Sequence, residues 1–438
     1  MAPKIHFIYG TISLLAVVTL VLYRDGTPTI LPPSPGGGGG ECRAMFEITK
    51  PNGETWNRDD PYEPYARQLP SLVHSGHEDA PPVTLNSTRL QILWGAVPYI
   101  PCKIRDYGDA PFVECSAARA QAGRTTWIAL VGDSQMRLKL HLLLHILPRG
   151  LAYTFTMEGR EVSKQEFEEA VVTHQVHPSD FEVIGRHPGS EVSPQDALPV
   201  RRNSSRETEG ANGPPGDAGA YVLRVTLVWA PLGSKRGHPL DQGLALTTAM
   251  QEWAEATSIP DVIVVGYGLW FLLMKQFEGE LVPFTEMDRL TRPLVAPLTT
   301  LAARTSVLLW AQSRFRGFNF ESPLAIQGTD PSSAWKTNIY RQQFAGSIPI
   351  LDDWLWNILR ATGMWRWDTL LPFNLASLKE CQYLHAANMS QDTFYLSRWW
   401  NCADSFHTSY RTDRDEFQLL LNLLCNPFLV PESGFCCS

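Results

Sequence analysis

Residues 127–147, WIALVGDSQMRLKLHLLLHIL, decide the fold. The first five, WIALV, form a continuous apolar run, the pattern of a short strand covered on both faces. Gly132 provides a turn. Residues 135–147 then carry a helical pattern that Pro148 stops. A buried strand leading through a glycine turn into a helix is the opening unit of a largely parallel sheet.

The same signature recurs outward from this stretch. Residues 221–229 (YVLRVTLVW), 261–265 (DVIVV) and 306–310 (SVLLW) read as further strands. Between and after them, 243–256, 287–304 and 413–425 read as helices, the second broken at Pro293 and Pro297 and the last with an acidic first turn. Apolar strands alternating with helices predict an α/β fold, a three-layer α/β/α sandwich with a mostly parallel sheet. Residues 187–220, rich in Gly, Pro, Ser and Arg, read as a surface loop insertion, and no internal repeat is present.

Of the 438 residues, 44% are hydrophobic, which excludes wholesale disorder. Lys+Arg 37 against Asp+Glu 45 leave a net charge of −8, and the one basic cluster is Arg201, Arg202 and Arg206. Nucleic acid is therefore not an expected partner. The membrane is one, because residues 7–23 (FIYGTISLLAVVTLVLY) are uncharged and long enough to span at the short limit. They read as an uncleaved signal anchor, with 1–6 cytosolic, 24–41 a Pro/Gly stalk, and 42–438 a luminal domain whose core covers about 90–430. The five glycines at 36–40 lack the Lys-Ser/Thr of a phosphate loop.

All eight cysteines follow the apolar segment and none forms a C-x-x-C pair, so up to four disulfides are expected in an oxidising compartment. Cys402 is placed to clamp the neighbouring loop, and Cys436-Cys437 would suit lipidation only in a cytosolic tail. Sequons at Asn86, Asn203 and Asn388 fit the luminal reading. The expectation is a single-pass type II protein of the Golgi or ER membrane, the short span suiting thinner bilayers. His174, His177, Asp180 and His187 are spaced loosely like a metal site, yet they read as surface residues, and no bound metal or cofactor is expected.

The sharpest chemical feature is Gly132-Asp133-Ser134. In an α/β sheet the ligand crevice lies at the carboxyl ends of the strands, and a helix beginning there offers amides and a positive dipole end to a developing oxyanion. The competing reading makes Ser134 only a helix N-cap. A nucleophilic serine needs a base and the base an orienting carboxylate, which Asp404-Ser405-Phe406-His407 supplies on a three-residue offset. The chain order is Ser134, Asp404, His407.

With these residues in place, the sequence closely resembles the PC-esterase family. That branch of the GDSL/SGNH hydrolases includes plant trichome-birefringence-like acetyltransferases and the luminal domain of the animal sialate O-acetyltransferase. The resemblance covers about residues 127–426, through LVGDSQMR with Arg137 at the Ser-x-x-Arg position, VTLVWAPL at 225–232, IVVGYGLWFL at 263–272, and DSFH at 404–407. It implies an SGNH-like sandwich with Ser134 as nucleophile, His407 as base and Asp404 as orienter. Where relatives carry an oxyanion-hole Asn, this chain has Gly266-Tyr267-Gly268, so an N–H of Gly266 or Gly268 would join that of Ser134. Gly132, Asp133 and Arg137 complete the pocket, and Trp399-Trp400 would form a wall for a sugar. The implied activity is acetyl transfer from acetyl-CoA or another acyl donor to a glycan hydroxyl. The alternatives are carbohydrate or lipid O-acyl ester hydrolysis and an inert glycan- or protein-binding module on the same fold.

Overall fold

Side chains along a strand point alternately to opposite faces, so a strand apolar at every position must be covered twice. In the computed structural model this is the condition of β1 (Thr126–Gly132), buried along its whole length. Ile128 and Leu130 enter one core layer, and Ala129 and Val131 enter the other. The structure describes residues 39–47, 100–107, 111–172, 180–187, 222–231, 245–271, 284–310, 350–369, 373, 377, 401–402, 407–429 and 434–438.

The remaining strands are β2 (Ala152–Met157), β3 (Arg160–Val162), β4 (Phe181–Arg186), β5 (Leu223–Trp229), β6 (Val262–Gly266), β7 (Ser306–Trp310) and β8 (Trp365–Trp367). They form one sheet in the order β3-β2-β4-β5-β1-β6-β7-β8. From β5 to β8 neighbours run parallel, while β3, β2 and β4 form an antiparallel wing that pairs with β5. The sheet is thus mixed, with its parallel half where expected. The wing is less legible because two of its strands are only partly buried: β2 exposes most of its residues to some degree and β3 has one buried residue of three.

The helices are α1 (Gly39–Ala44), α2 (Pro111–Gln121), α3 (Ser134–His145), α4 (Lys164–Val172), α5 (Ala245–Glu255), α6 (Phe284–Thr291), α7 (Val295–Ala302) and α8 (Tyr410–Leu429). Residues 350–359 form another. Apolar residues of α2, α3, α4 and α8 cover one face of the sheet; those of α5, α6, α7 and 350–359 cover the other. Of the two prolines expected to break 287–304, only Pro293 does so, within the 3-10 turn Arg292–Leu294. Pro297 sits in the first turn of α7, where its missing N–H has no helical acceptor to lose.

The core reaches beyond the expected 90–430. Helix α1 begins inside the last residues read as stalk, and Met45 and Phe46 behind it are fully buried, Phe46 packing edge-on against Trp367. Disulfide Cys42–Cys437 fastens this front segment to residues near 437, and Cys102–Cys436 and Cys115–Cys425 tie residues 102 and 115 to the same region. Their pairing removes the lipidated-tail reading of Cys436 and Cys437; Cys402 is disulfide-bonded too. Among the described residues no helix is long and apolar enough to cross a membrane. The anchor at 7–23, the stalk up to residue 38, most of 187–220 and the three sequons lie outside the described residues.

Candidate active site

The chain leaves β1 towards the β2–β5 side and returns across it to β6. Such a switch point opens a crevice at the carboxyl ends of the strands, and Gly132 stands there between Trp229 and Gly266. Backbone bonds tie the three ends together: Ala230 N–H donates to Gly132 O (2.7 Å) and Asp133 N–H to Gly266 O (3.3 Å). Gly132 has φ +153°, and a Cβ there would lie 1.8 Å from Gly266 O, a backbone atom with no freedom to retreat. Only glycine fits this turn.

The helix cap turns out to be Asp133, whose carboxylate accepts the Gln135 N–H at 2.9 Å. Ser134 is therefore the first helical residue, and its hydroxyl is spared the capping role. That hydroxyl lies 2.8 Å from His407 Nε2. Ser134 and His407 are half-buried, whereas Asp133 and Gln135 beside them are buried, so the Ser–His pair sits at the crevice surface. Among the described residues nothing accepts the Ser134 N–H. It is the first amide of a 12-residue helix, where the positive dipole end is strongest.

Burial pushes the Asp133 carboxyl up to about 6, against the Gln135 N–H and the nearby His407 and Arg137 charges that favour its ionised form. Arg137, one turn along α3 and 6% exposed, lies with its guanidinium carbon 5.3 Å from the centroid of the Trp229 ring. Burial lowers its pKa while Asp133 supports its charge. Both side chains are buried beneath the serine.

His407 is separated from Ser134 by 273 residues and is placed by a buried polar chain. Asn401, in the left-handed region at φ +53°, donates to the carbonyls of His407 and Thr408, each at 3.2 Å. The Thr408 hydroxyl bonds Asp413, and Lys139 Nζ lies 3.5 Å from Asp413 and bonds Glu416. Lys139 and both carboxylates are at most 1% exposed. Burial works against the Lys139 charge, but Glu416 and Asp413 outweigh it and hold the ammonium protonated. Burial pushes the Glu416 carboxyl up to about 7, opposed by Lys139 and reinforced by Asp413. The helix carrying the serine is thereby bonded to the segment that follows the histidine. Sequence reading missed Lys139, Asn401, Asp413 and Glu416; the lone lysine within the apolar run of α3 was the one available signal.

Of the residues expected at the site, Gly132, Asp133, Ser134, Arg137, Gly266 and His407 come together. Of the two amides offered as a second oxyanion donor, Gly266 or Gly268, that of Gly268 donates to Pro231 O at 3.4 Å. The Tyr267 side chain is buried in the opposite core layer, its hydroxyl bonding Thr291 Oγ1 at 3.0 Å. Asp404, Trp399 and Trp400 lie outside the described residues. Asp180, grouped with three histidines in the sequence, instead accepts the Trp229 N–H at the end of β5 at 2.9 Å.

No family model and no curated protein matches the sequence. A solved structure of a peptidoglycan O-acetylesterase aligns with 74% of this chain and 99% of its own, at 12% identity and a TM-score of 0.26.

Proposed function

We propose that this chain is a serine acyl-transfer enzyme that moves an acetyl group from an acyl donor, such as acetyl-CoA, to a glycan hydroxyl. The observation that carries the reading is the 2.8 Å approach of His407 Nε2 to Ser134 Oγ, at the start of a helix and at the carboxyl end of the central strand. His407 takes the hydroxyl proton as Ser134 Oγ bonds to the acetyl carbonyl carbon. The tetrahedral oxyanion faces the Ser134 N–H and the positive end of α3. The carbonyl then re-forms as the bond between the acetyl carbon and the donor's leaving group breaks, and that leaving group receives the proton from His407. An acceptor hydroxyl attacks the acetyl-enzyme, gives its proton to His407, and Ser134 is released protonated. Asp404 is assigned to orient His407 on the Asp-x-x-His spacing, and Trp399-Trp400 to a sugar-facing wall.

The PC-esterase resemblance supports acetyl as the acyl group. The three disulfides suit an oxidising compartment, so the reading includes a Golgi or ER lumen, the 7–23 anchor, and glycans at Asn86, Asn203 and Asn388. Water in place of the sugar would make the same machinery an esterase.

The test is intact mass spectrometry of the purified protein after brief exposure to acetyl donors, beside Ser134→Ala. One acetyl adduct on Ser134, absent from the variant and discharged faster by an oligosaccharide than by water, is expected. Discharge by water alone would make it an esterase. No adduct and no hydrolysis of aryl acetates by folded protein would leave the fold as an inert binding module.

A further inference from the structure

Well along α3 from Ser134, His141 and His145 stand four residues apart on one helix face, with their Nε2 atoms 3.3 Å from each other. His145 is exposed and His141 half-buried, so the gap between them is open to solvent. Two bonds of about 2.0–2.1 Å from a tetrahedral zinc ion would set two imidazole nitrogens about 3.3–3.4 Å apart. The separation observed, at which one imidazole can also donate to the other, matches the bite of such a centre.

The second shell is present as well. Tyr410, 5% exposed at the start of α8, bonds His141 Nδ1 through its hydroxyl and lies 3.2 Å from Nε2. A ligating histidine is normally oriented by a partner on its other ring nitrogen, which fixes the tautomer that leaves the ligating lone pair outward. The two imidazoles and the phenol also pack as one group, with ring centroids 4.8 Å (His141–His145), 5.3 Å (His141–Tyr410) and 6.2 Å (His145–Tyr410) apart.

We propose that His141 Nε2 and His145 Nε2 form a surface site for a divalent cation of the zinc or copper class, with Tyr410 as the positioning residue. Imidazole selects these metals over magnesium or calcium, which prefer oxygen. The remaining coordination positions face solvent and take water. The site is independent of the acyl-transfer reading and uses neither Ser134 nor His407.

The test is titration of the chelator-treated full chain with zinc chloride against a chromogenic chelator, and with cupric chloride followed by electron paramagnetic resonance. One equivalent of zinc and a copper signal coupled to two imidazole nitrogens are expected. His145→Ala, at an exposed position that does not support the core, should weaken zinc by at least about tenfold and remove one nitrogen coupling. Tyr410→Phe should give a smaller loss, and His407→Ala none. Absence of saturable binding, or equal binding by wild type and His145→Ala, overturns the site. Loss of binding in His407→Ala also overturns it, by moving the cation to the crevice.

Discussion

The two helical layers covering the sheet are built from different chemistry. On one face α5, α6, α7 and residues 350–359 press Leu246, Met250, Leu290, Leu294, Leu298, Leu301 and Leu355 against Ile263, Val265, Val307 and Leu309. On the other face α3 and α8 bury charges among their leucines: Lys139, Arg411, Asp413, Arg414, Asp415 and Glu416 are all at most 3% exposed. Helix α8 also fixes residues 105 and 107 through a polar ladder: Gln418 accepts the Tyr107 N–H and Asn422 bonds both backbone groups of Arg105. Apolar contact is indifferent to small slides, whereas an ion pair or a paired amide has a direction and a length. The layer that must hold Ser134 against His407 is the one fixed by directional bonds.

Three measurements can break or sharpen that contrast. Lys139→Met, which strands Asp413 and Glu416, should destabilise the fold by about 3–5 kcal/mol in urea unfolding. It should also slow acetylation of Ser134 per folded molecule, because Thr408 beside His407 loses its anchored partner, and Lys139→Arg should restore part of that rate. A rate unchanged in folded Lys139→Met would mean that the buried charges serve stability alone. Next, Leu298→Ala on the apolar face should cost about 3 kcal/mol through the cavity it leaves, with the rate per folded molecule unaltered. A slowed rate there would erase the distinction between the layers.

The smallest effect concerns Asp133. Its carboxyl titrates near 6 in the fold and near 4 in the unfolded chain. The folded state therefore binds the extra proton across that window. The resulting stability is complete below about pH 4 and is lost as pH rises through about 6, on the order of 2 kcal/mol. Asp133→Asn keeps a cap oxygen for Gln135 and should flatten the pH 4–6 part of the unfolding curve. An unaltered slope would place that titration elsewhere; Glu416, raised to about 7, contributes over an overlapping window that extends above Asp133's.

Much of the parallel half was legible because its signals are local. Residues 306–310 read as a strand and form β7 with the same bounds, since the four consecutive apolar residues Val307–Trp310 are all buried. The wing was not legible: β2 is half exposed and β3 has three residues, too little for a periodic pattern. Helix α8 starts at Tyr410, ahead of the acidic turn expected to open it. Ser409 caps it, its hydroxyl accepting the Thr412 N–H at 3.2 Å, and Asp413 still lies within the first turn. Ser134 was legible as a nucleophile or as a cap, and one torsional detail removes the cap reading: Asp133 takes the extended cap conformation, with φ −106° and ψ −156°.

By itself the sequence determined the strand–glycine–helix unit at Trp127–Leu147 and the alternation that makes a sheet covered twice, because propensity and periodicity act within a few residues. It also marked Ser134 and His407 as chemically able. Tertiary structure alone decided that Gly132 must have no side chain, since the obstacle is the carbonyl of Gly266 on another strand. It decided, too, that Lys139 meets Asp413 and Glu416, and which cysteines pair. Those choices join residues hundreds of positions apart, and only packing of the whole chain brings such groups within bonding distance.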